Sequence, residues 1–89
     1  MICVRCIVSG KVQGVWYRDT TRSKAQSLSV TGHAVNLPDG TVEVVACGQT
    51  SQVKTLQEWL WEGSQYSEVT AVACEPIEKT DTFNHFSIG

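Results

Sequence analysis

The sequence has little positive charge and no long apolar run. Its 89 residues carry 7 Lys and Arg against 9 Asp and Glu, which gives a formal net charge of −2 at pH 7. Binding to nucleic acid or to an anionic membrane surface generally needs a basic face, so this balance disfavours both kinds of partner. No apolar run approaches the roughly 18 residues that cross a bilayer. The sequence therefore predicts a protein with no nucleic-acid partner and no membrane partner.

Repeats, linkers and low-complexity segments are also missing. We therefore expect one domain over residues 1–89, and the hydrophobic fraction of 42% is typical of a chain with a packed core. The opening segment MICVRCIVSG places Arg5 inside a short apolar run and lacks a small-residue cleavage pattern. We interpret it as a strand and not as a secretory signal, and we expect a cytoplasmic protein that is a monomer.

Clustered metal ligands are absent as well. His33 and His85 have no histidine or acidic cluster near them in the sequence. Cys3 and Cys6 have the spacing of a metal-binding pair, but they lie within a predicted strand. Residues three apart on a strand point to opposite faces, so their sulfurs cannot easily bind one ion. The sequence predicts no metal and no cofactor.

Periodicity indicates the secondary structure. Alternating apolar residues predict strands at 2–9, 30–36, 41–47, 69–75 and 83–88. Helical spacing predicts helices at 18–30 and 52–63, with apolar stripes formed by Tyr17, Thr21, Ala25 and Leu28 and by Val53, Leu56, Trp59 and Leu60. The order β-α-β-β-α-β, with a short final strand, is typical of an α+β ferredoxin-like sandwich. We expect an antiparallel sheet with the first and third strands in the middle and two helices on one face.

Several residues predict where these elements begin and end. Thr50 and Ser51 are expected to cap the second helix, and Gly63 is expected to end it. The segment NLPDG at 36–40 predicts a turn between two strands.

The segment SGKVQGVWYR joins the first strand to the first helix. Amide groups at a helix N-terminus lack partners, and the helix dipole adds partial positive charge there. Gly10 and Gly14 permit backbone shapes that direct several N–H groups into one concavity, and such loops bind phosphate. The guanidinium of Arg18 could add several N–H donors in one plane to bind the same phosphate oxygens. Taken alone, the same pattern also fits a tight turn with an exposed arginine.

Two motifs together resemble the acylphosphatase family. The first, G-x-V-Q-G-V-x-Y-R, runs from Gly10 to Arg18. The second, G-x-x-x-N-x-x-D-G-x-V-E, runs from Gly32 to Glu43. The resemblance covers essentially the whole chain. It implies a metal-independent hydrolase of the carboxyl–phosphate bond, with small acyl phosphates and inorganic phosphate as its ligands.

The resemblance also implies roles for individual residues. Arg18 and Asn36 take the catalytic positions, where the arginine grips the phosphate and the asparagine orients the attacking water. The implied phosphate-binding loop consists of Gly10, Lys11, Val12, Gln13, Gly14 and Val15. Neither motif supplies an evident Asp, Glu or His base, so we expect a substrate phosphate oxygen to accept the water proton. No cysteine has the spacing to arginine that cysteine-dependent phosphatases use.

The chain departs from the family pattern at a few positions. His33 and Val35 stand where relatives usually carry an aromatic and often a basic residue, which affects surface contacts more than the reaction. Ser29 stands where many relatives have glycine. If that position needs a positive φ, serine costs about 1 kcal/mol.

The four cysteines allow several pairings. Cys3 begins the first predicted strand and Cys47 ends the third, and the two share one face of antiparallel neighbours. A Cys3–Cys47 disulfide is therefore geometrically feasible, although a reducing cytoplasm would keep it open. Cys6 is expected to be a free thiol in the core, and Cys74 receives no role.

Two alternatives to an acylphosphatase remain at this point. One is a non-catalytic module that binds phosphate through the same loop. The other is a regulatory or RNA-binding ferredoxin-like domain, which the negative charge and the lack of aromatic residues on the central strands disfavour.

Overall fold

A computed structural model of the chain describes residues 1–78 and 84–89. Along the described residues the elements are β1 Ile2–Lys11, α1 Tyr17–Ser27, β2 Thr31–Asn36, β3 Val42–Gly48, α2 Thr50–Leu60, β4 Glu68–Ile77 and β5 Phe86–Ile88. The predicted order of elements is confirmed. The predicted start of the last strand at residue 83 lies outside the described residues.

The strands form one sheet in the order β4-β1-β3-β2-β5. Strand β1 is antiparallel to both β3 and β4, and β2 is antiparallel to β3, so β1 and β3 lie in the middle as predicted. Strand β5 is parallel to β2, and the prediction of an entirely antiparallel sheet is wrong for this pair. The positions of the last two strands explain this difference. Strand β4 lies at one edge of the sheet and β5 at the other, and β5 runs opposite to β4. Strand β2 also runs opposite to β4, so β5 and its neighbour β2 are parallel.

Both helices pack on one face of the sheet, as predicted. Alternate residues of β1 point towards them: Val4, Cys6 and Val8 are buried. The predicted helical stripes supply the opposite side of this core with Tyr17, Ala25, Val53, Leu56 and Leu60. Thr21 lies in the same stripe with none of its surface exposed, and its hydroxyl donates to the Tyr17 carbonyl oxygen at 2.7 Å.

The helix ends differ in part from the prediction. Helix α2 begins at Thr50 with Gln49 at the N-cap and no capping side chain, so Thr50 and Ser51 are inside the helix and do not cap it. Gly63 does follow its end, with φ at 68° and its N–H donating to the Trp59 carbonyl oxygen at 3.1 Å. Ser29 follows α1 with φ at 57°, which is the left-handed conformation that glycine adopts more easily.

Two disulfides join β1 to its neighbours. The Cys3–Cys47 bond, which the sequence indicated to be feasible, is formed and links β1 to β3 with the Cα atoms 4.1 Å apart. The expectation that Cys6 is a free core thiol is wrong, because Cys6 is bonded to Cys74 of β4. The register of β1 and β4 places these two residues directly opposite each other. The two bonds lie on opposite faces of the sheet, since Cys3 and Cys6 are three residues apart on one strand.

The face without helices, which we call the open face, has a smaller buried cluster of its own. Cys3, Val45 and Cys47 are buried there, and Ile77 packs against them. Beside this cluster, the Arg5 guanidinium forms a salt bridge with the Glu43 carboxylate. None of the helices found in residues 1–78 and 84–89 combines the length and the apolar character needed to span a bilayer.

Candidate active site

A cleft of about 380 Å³ opens where β1 leads into α1. It is lined by Val12, Gly14, Trp16, Tyr17, Arg18, Asp19 and Ile88. Three of the residues that the sequence predicts for the site, Val12, Gly14 and Arg18, therefore lie together. The cleft is at the small end of the range for pockets that bind organic ligands, which begins near 300 Å³.

The loop between the strand and the helix presents a run of backbone donors. Among the described residues, the N–H groups of Gln13, Gly14, Val15 and Trp16 donate to no backbone acceptor. The first amides of α1 also lack partners within the helix. Gly14 has φ at 72° and Trp16 has φ at 65°, so the backbone here departs from strand and helix geometry. A series of amide donors at the positive end of a helix dipole favours an anion.

Buried contacts hold this loop in place. Val12 and Val15 have 1% and 8% of their surface exposed and anchor the loop in the core. The hydroxyl of Ser64 donates to the Val15 carbonyl oxygen at 2.6 Å, and Ser64 is itself buried. Sequence reasoning missed Ser64, because a single serine after a helix carries no pattern that points to a residue 49 positions earlier.

A side chain of the loop reaches the turn that follows β2. Nε2 of Gln13 donates to the carbonyl oxygens of Leu37 and Thr41, both at 2.9 Å. Asn36, the last residue of β2, is exposed and directly precedes Leu37. Gln13 therefore ties the segment that carries Asn36 to the loop. Asn36 is not among the residues that line the cleft.

The remaining loop positions lie in regular structure. Gly10 and Lys11 form the last two residues of β1, where they pair with Val69 and Glu68. The register shifts between Ser9 and Gly10, and a Cβ atom added at Gly10 would lie 2.1 Å from the Glu68 carbonyl oxygen. Glycine is thus required at this bulge for close packing of two backbones.

Arg18 lies in the first turn of α1 and is partly exposed in the cleft. Its Nη1 atom donates to the carbonyl oxygen of Gly89. The Gly89 N–H in turn donates to the Ala34 carbonyl oxygen at 3.1 Å. This contact orients the guanidinium, and the group retains further N–H donors in its planar fork.

The neighbours of Arg18 in sequence have structural partners. Tyr17 is buried, its hydroxyl donates to the Leu60 carbonyl oxygen at 2.7 Å, and its ring stacks on Trp59 at 6.1 Å. Burial raises the pKa of the Tyr17 hydroxyl, which keeps it neutral. The Asp19 carboxylate accepts a hydrogen bond from Arg22 at 2.6 Å.

Neither histidine is among the residues that line the cleft. His33 pairs with Glu43 on the open face at 3.0 Å, and His85 is exposed before β5. Over residues 1–78 and 84–89, no three His, Cys, Asp or Glu side chains form a group that could hold a metal ion.

The chain is similar to known proteins over most of its length. The family model for acylphosphatase matches residues 4–88. An acylphosphatase of Chromohalobacter salexigens is 50% identical over 76 residues, which are 85% of this chain and 84% of that protein. An acylphosphatase of Nitrosococcus oceani is 46% identical over 76 residues, 85% of each chain.

Solved structures show the same fold. The structure of an acylphosphatase from Coxiella burnetii superimposes with a TM-score of 0.93 at 42% identity, covering 99% of this chain and 92% of that one. The crystal structure of acylphosphatase from Bacillus subtilis superimposes with a TM-score of 0.95 at 31% identity, covering 100% of this chain and 99% of that one. Since the family model and these relatives all match over most of their length, the chain belongs to the acylphosphatase family.

Proposed function

We propose that the chain hydrolyses the carboxyl–phosphate bond of small acyl phosphates, with Arg18 and the loop amides holding the phosphoryl group and Asn36 orienting the attacking water. The observation that carries this proposal is the run of amides at 13–16 that find no backbone acceptor among the described residues, in a loop whose Gly14 and Trp16 line one cleft with Arg18. The same loop is anchored in the core, so its donors are ordered before a ligand arrives.

Arg18 and the amides would neutralise the charge of the transferring group. Phosphoryl transfer passes through a loose transition state in which charge spreads over the phosphoryl oxygens. Donors that are already oriented stabilise that charge without reorganising during the reaction. The contact from Arg18 to the Gly89 carbonyl oxygen leaves the rest of the guanidinium fork for two phosphoryl oxygens.

The leaving group needs little assistance. A carboxylate leaves as the conjugate base of an acid whose pKa is roughly 4–5, so protonation of the departing oxygen is unnecessary. The bond from phosphorus to the acyl oxygen breaks with its electron pair on the carboxylate, while the water oxygen bonds to phosphorus. The water proton passes to a phosphoryl oxygen of the substrate. The products are a carboxylate and inorganic phosphate.

Asn36 would orient the attacking water and would not act as a base. A side-chain amide can accept a hydrogen bond from water and hold it in line with the bond that breaks, but it cannot take up a proton at neutral pH. The two bonds from Gln13 support this role, because they join the residue after Asn36 to the loop that would hold the phosphoryl group.

Hydrolysis of benzoyl phosphate in the presence of EDTA tests the proposal. We expect wild-type protein to release phosphate under these conditions. We expect Asn36→Ala to lower kcat while inorganic phosphate remains a competitive inhibitor with an unchanged inhibition constant. Exposed Gln65 is remote in sequence from both motifs, so Gln65→Ala serves as a matched control that leaves both quantities unchanged.

Three outcomes would contradict the proposal or one of its parts. Tight phosphate binding without hydrolysis would indicate a binding module instead of an enzyme. Loss of phosphate inhibition together with kcat in Asn36→Ala would make Asn36 a binding or structural residue. A pH–rate profile that requires an unprotonated enzyme group near neutrality would exclude the substrate as the proton acceptor.

A further inference from the structure

Trp16 lines the cleft next to Arg18, and nothing in the proposed reaction at phosphorus uses its side chain. It leaves 71% of its surface exposed and is, after Met1, the most exposed of the large hydrophobic residues in the described part of the chain. At the mouth of a ligand cleft, this indole is an apolar surface that faces mainly water in the described structure. Single exposed apolar residues are ordinary on protein surfaces, so the position of Trp16 needs further support.

The backbone of Trp16 supplies that support. Its φ is 65°, in the left-handed region that bulky residues rarely adopt. It occupies the N-cap of α1 without making a capping side-chain bond, where Ser, Asp or Asn would stabilise the helix. The Trp16 carbonyl oxygen accepts bonds from the hydroxyl and the N–H of Thr20 at 2.7 Å and 3.0 Å, which hold this conformation. A tryptophan here serves neither the turn nor the helix, and strained residues of this kind cluster at ligand sites.

The cleft has two chemically different parts. In one part, Arg18 supplies positive charge and Gly14 lets a ligand approach the backbone closely, and both features suit a phosphoryl group. Trp16, Val12 and Ile88 supply apolar lining, of which Val12 is almost fully buried. With a volume of about 380 Å³, the cleft has room for more than a phosphoryl group and could take a small ring beside it.

We propose that Trp16 and Ile88 form the wall that receives the acyl group, and that the cleft favours acyl phosphates with an aromatic acyl group over acetyl phosphate. The inference rests on the proposed function, because it concerns the other half of the same substrate. An aromatic acyl group can stack on the indole and cover its exposed face, whereas a methyl group covers little of it. The preference would appear in kcat/KM, since Trp16 lies beside the bound acyl group and not at phosphorus.

The experiment compares kcat/KM for benzoyl phosphate and acetyl phosphate in wild type, Trp16→Ala, Trp16→Phe and Trp16→Gly. We expect the ratio of benzoyl to acetyl phosphate to fall about tenfold in Trp16→Ala and to be largely restored in Trp16→Phe. Inhibition by inorganic phosphate should not change, because phosphate lacks an acyl group. Trp61→Ala is the matched control, since Trp61 is also exposed, at 54%, but follows α2 and does not line the cleft.

Trp16→Gly keeps the test valid if the alanine variant folds poorly. Glycine adopts a φ of 65° without strain, so this variant removes the side chain and should be at least as stable as Trp16→Ala. An unchanged substrate ratio in every variant, or an equal loss for both substrates, would overturn the role of Trp16 while hydrolysis by the wild type upheld the proposed function. Wild type that hydrolyses neither substrate would overturn both.

Discussion

The face of the sheet under the helices and the open face are stabilised by different contacts. The covered face buries residues from every strand except β4, together with both helices, in one core. Among the described residues, the buried cluster of the open face consists of Cys3, Val45 and Cys47, and beside it Arg5 contacts Glu43 at 2.5 Å and Glu75 at 3.6 Å. The cleft lies at the end of the covered face, where β1 enters α1. The comparison suggests that changes near the cleft should alter rate, whereas changes on the open face should alter stability.

Arg18→Lys should give the largest effect and should act on rate. An ammonium group cannot form the paired bonds of a guanidinium with two phosphoryl oxygens. Loss of oriented charge at a transferring phosphoryl group lowers the rate by on the order of 10²–10⁵-fold. Steady-state hydrolysis of benzoyl phosphate measures the loss, and thermal unfolding should show little change.

Arg22→Lys is the control for that measurement. Arg22 lies on the same helix but pairs with Asp19 and does not line the cleft. A similar fall in rate for both variants would mean that general charge on α1, and not the Arg18 fork, supports the reaction.

Removal of the disulfides should have the next largest effect, on stability. The bonds join residues separated by 44 and 68 positions, and each constrains the unfolded chain by about 4 kcal/mol in the chain-entropy model. We expect paired Cys→Ala variants of either bond, or treatment with reductant, to lower the denaturation midpoint in urea while kcat of the folded protein changes little.

The two bonds allow a sharper test of the two faces. Cys3–Cys47 lies in the buried cluster of the open face, whereas Cys74 is exposed on the edge strand β4. Low concentrations of reductant should therefore open Cys6–Cys74 first, which mass spectrometry after thiol alkylation would detect. Prior opening of Cys3–Cys47 would contradict the difference in accessibility.

Gln13→Ala should affect both rate and stability to an intermediate degree. The change removes two hydrogen bonds, each worth about 0.5–1.5 kcal/mol, while the Leu37 and Thr41 carbonyl oxygens keep the N–H groups of Gly40 and Leu37 as donors. Because the turn after Asn36 would no longer be tied to the loop, we expect kcat to fall more than KM rises. Gln52→Ala, on α2, is the control. An effect on stability alone would show that Gln13 does not help to position Asn36.

Glu43→Gln should have the smallest effect, and it should depend on pH. Partial burial works to raise the pKa of Glu43, but hydrogen bonds from Arg5 and His33 outweigh it and hold the pKa below the ordinary value of 4.5. A carboxylate with a lowered pKa in the folded state adds stability above its unfolded pKa, and this stability is lost as the pH falls through the folded value. Arg5 is partly exposed, so the gain should be under about 1 kcal/mol.

Thermal unfolding at neutral and acidic pH checks this prediction. Glu43→Gln should unfold at a lower temperature than wild type at pH 7, and the difference should disappear as the pH falls well below 4.5. The exposed Glu58 of α2 provides the control variant Glu58→Gln. A difference that persisted in acid would point to packing and not to the charge of Glu43.

The sequence was sufficient for the element order and for the covered core. Apolar residues recur with a period of two in strands and of 3.6 in helices. The buried residues Val4 and Val8 of β1 fit the first period, and Leu56 and Leu60 of α2 fit the second. The sequence was also sufficient to show that a Cys3–Cys47 bond is feasible, although not that it forms. The two cysteines stand at the start and end of neighbouring antiparallel strands, so parity and topology alone bring them together.

The Cys6–Cys74 bond could not be predicted in the same way. It depends on the register between β1 and β4, which are far apart in sequence and are offset by the irregularity between Ser9 and Gly10. The hydrogen bonds from Ser64 to Val15 and from Gln13 to Leu37 could not be predicted either. Each joins segments that are distant in sequence, and no periodic pattern indicates that they meet.

By itself, the sequence determined the family, the fold and the two motifs that the candidate site requires, because each is a matter of residue type at a fixed local spacing. Only the tertiary structure decided what supports the site: the register of β4, the direction of β5 and the anchors of the loop. These depend on where distant segments pack against one another, and packing between distant segments leaves no periodic trace in the chain.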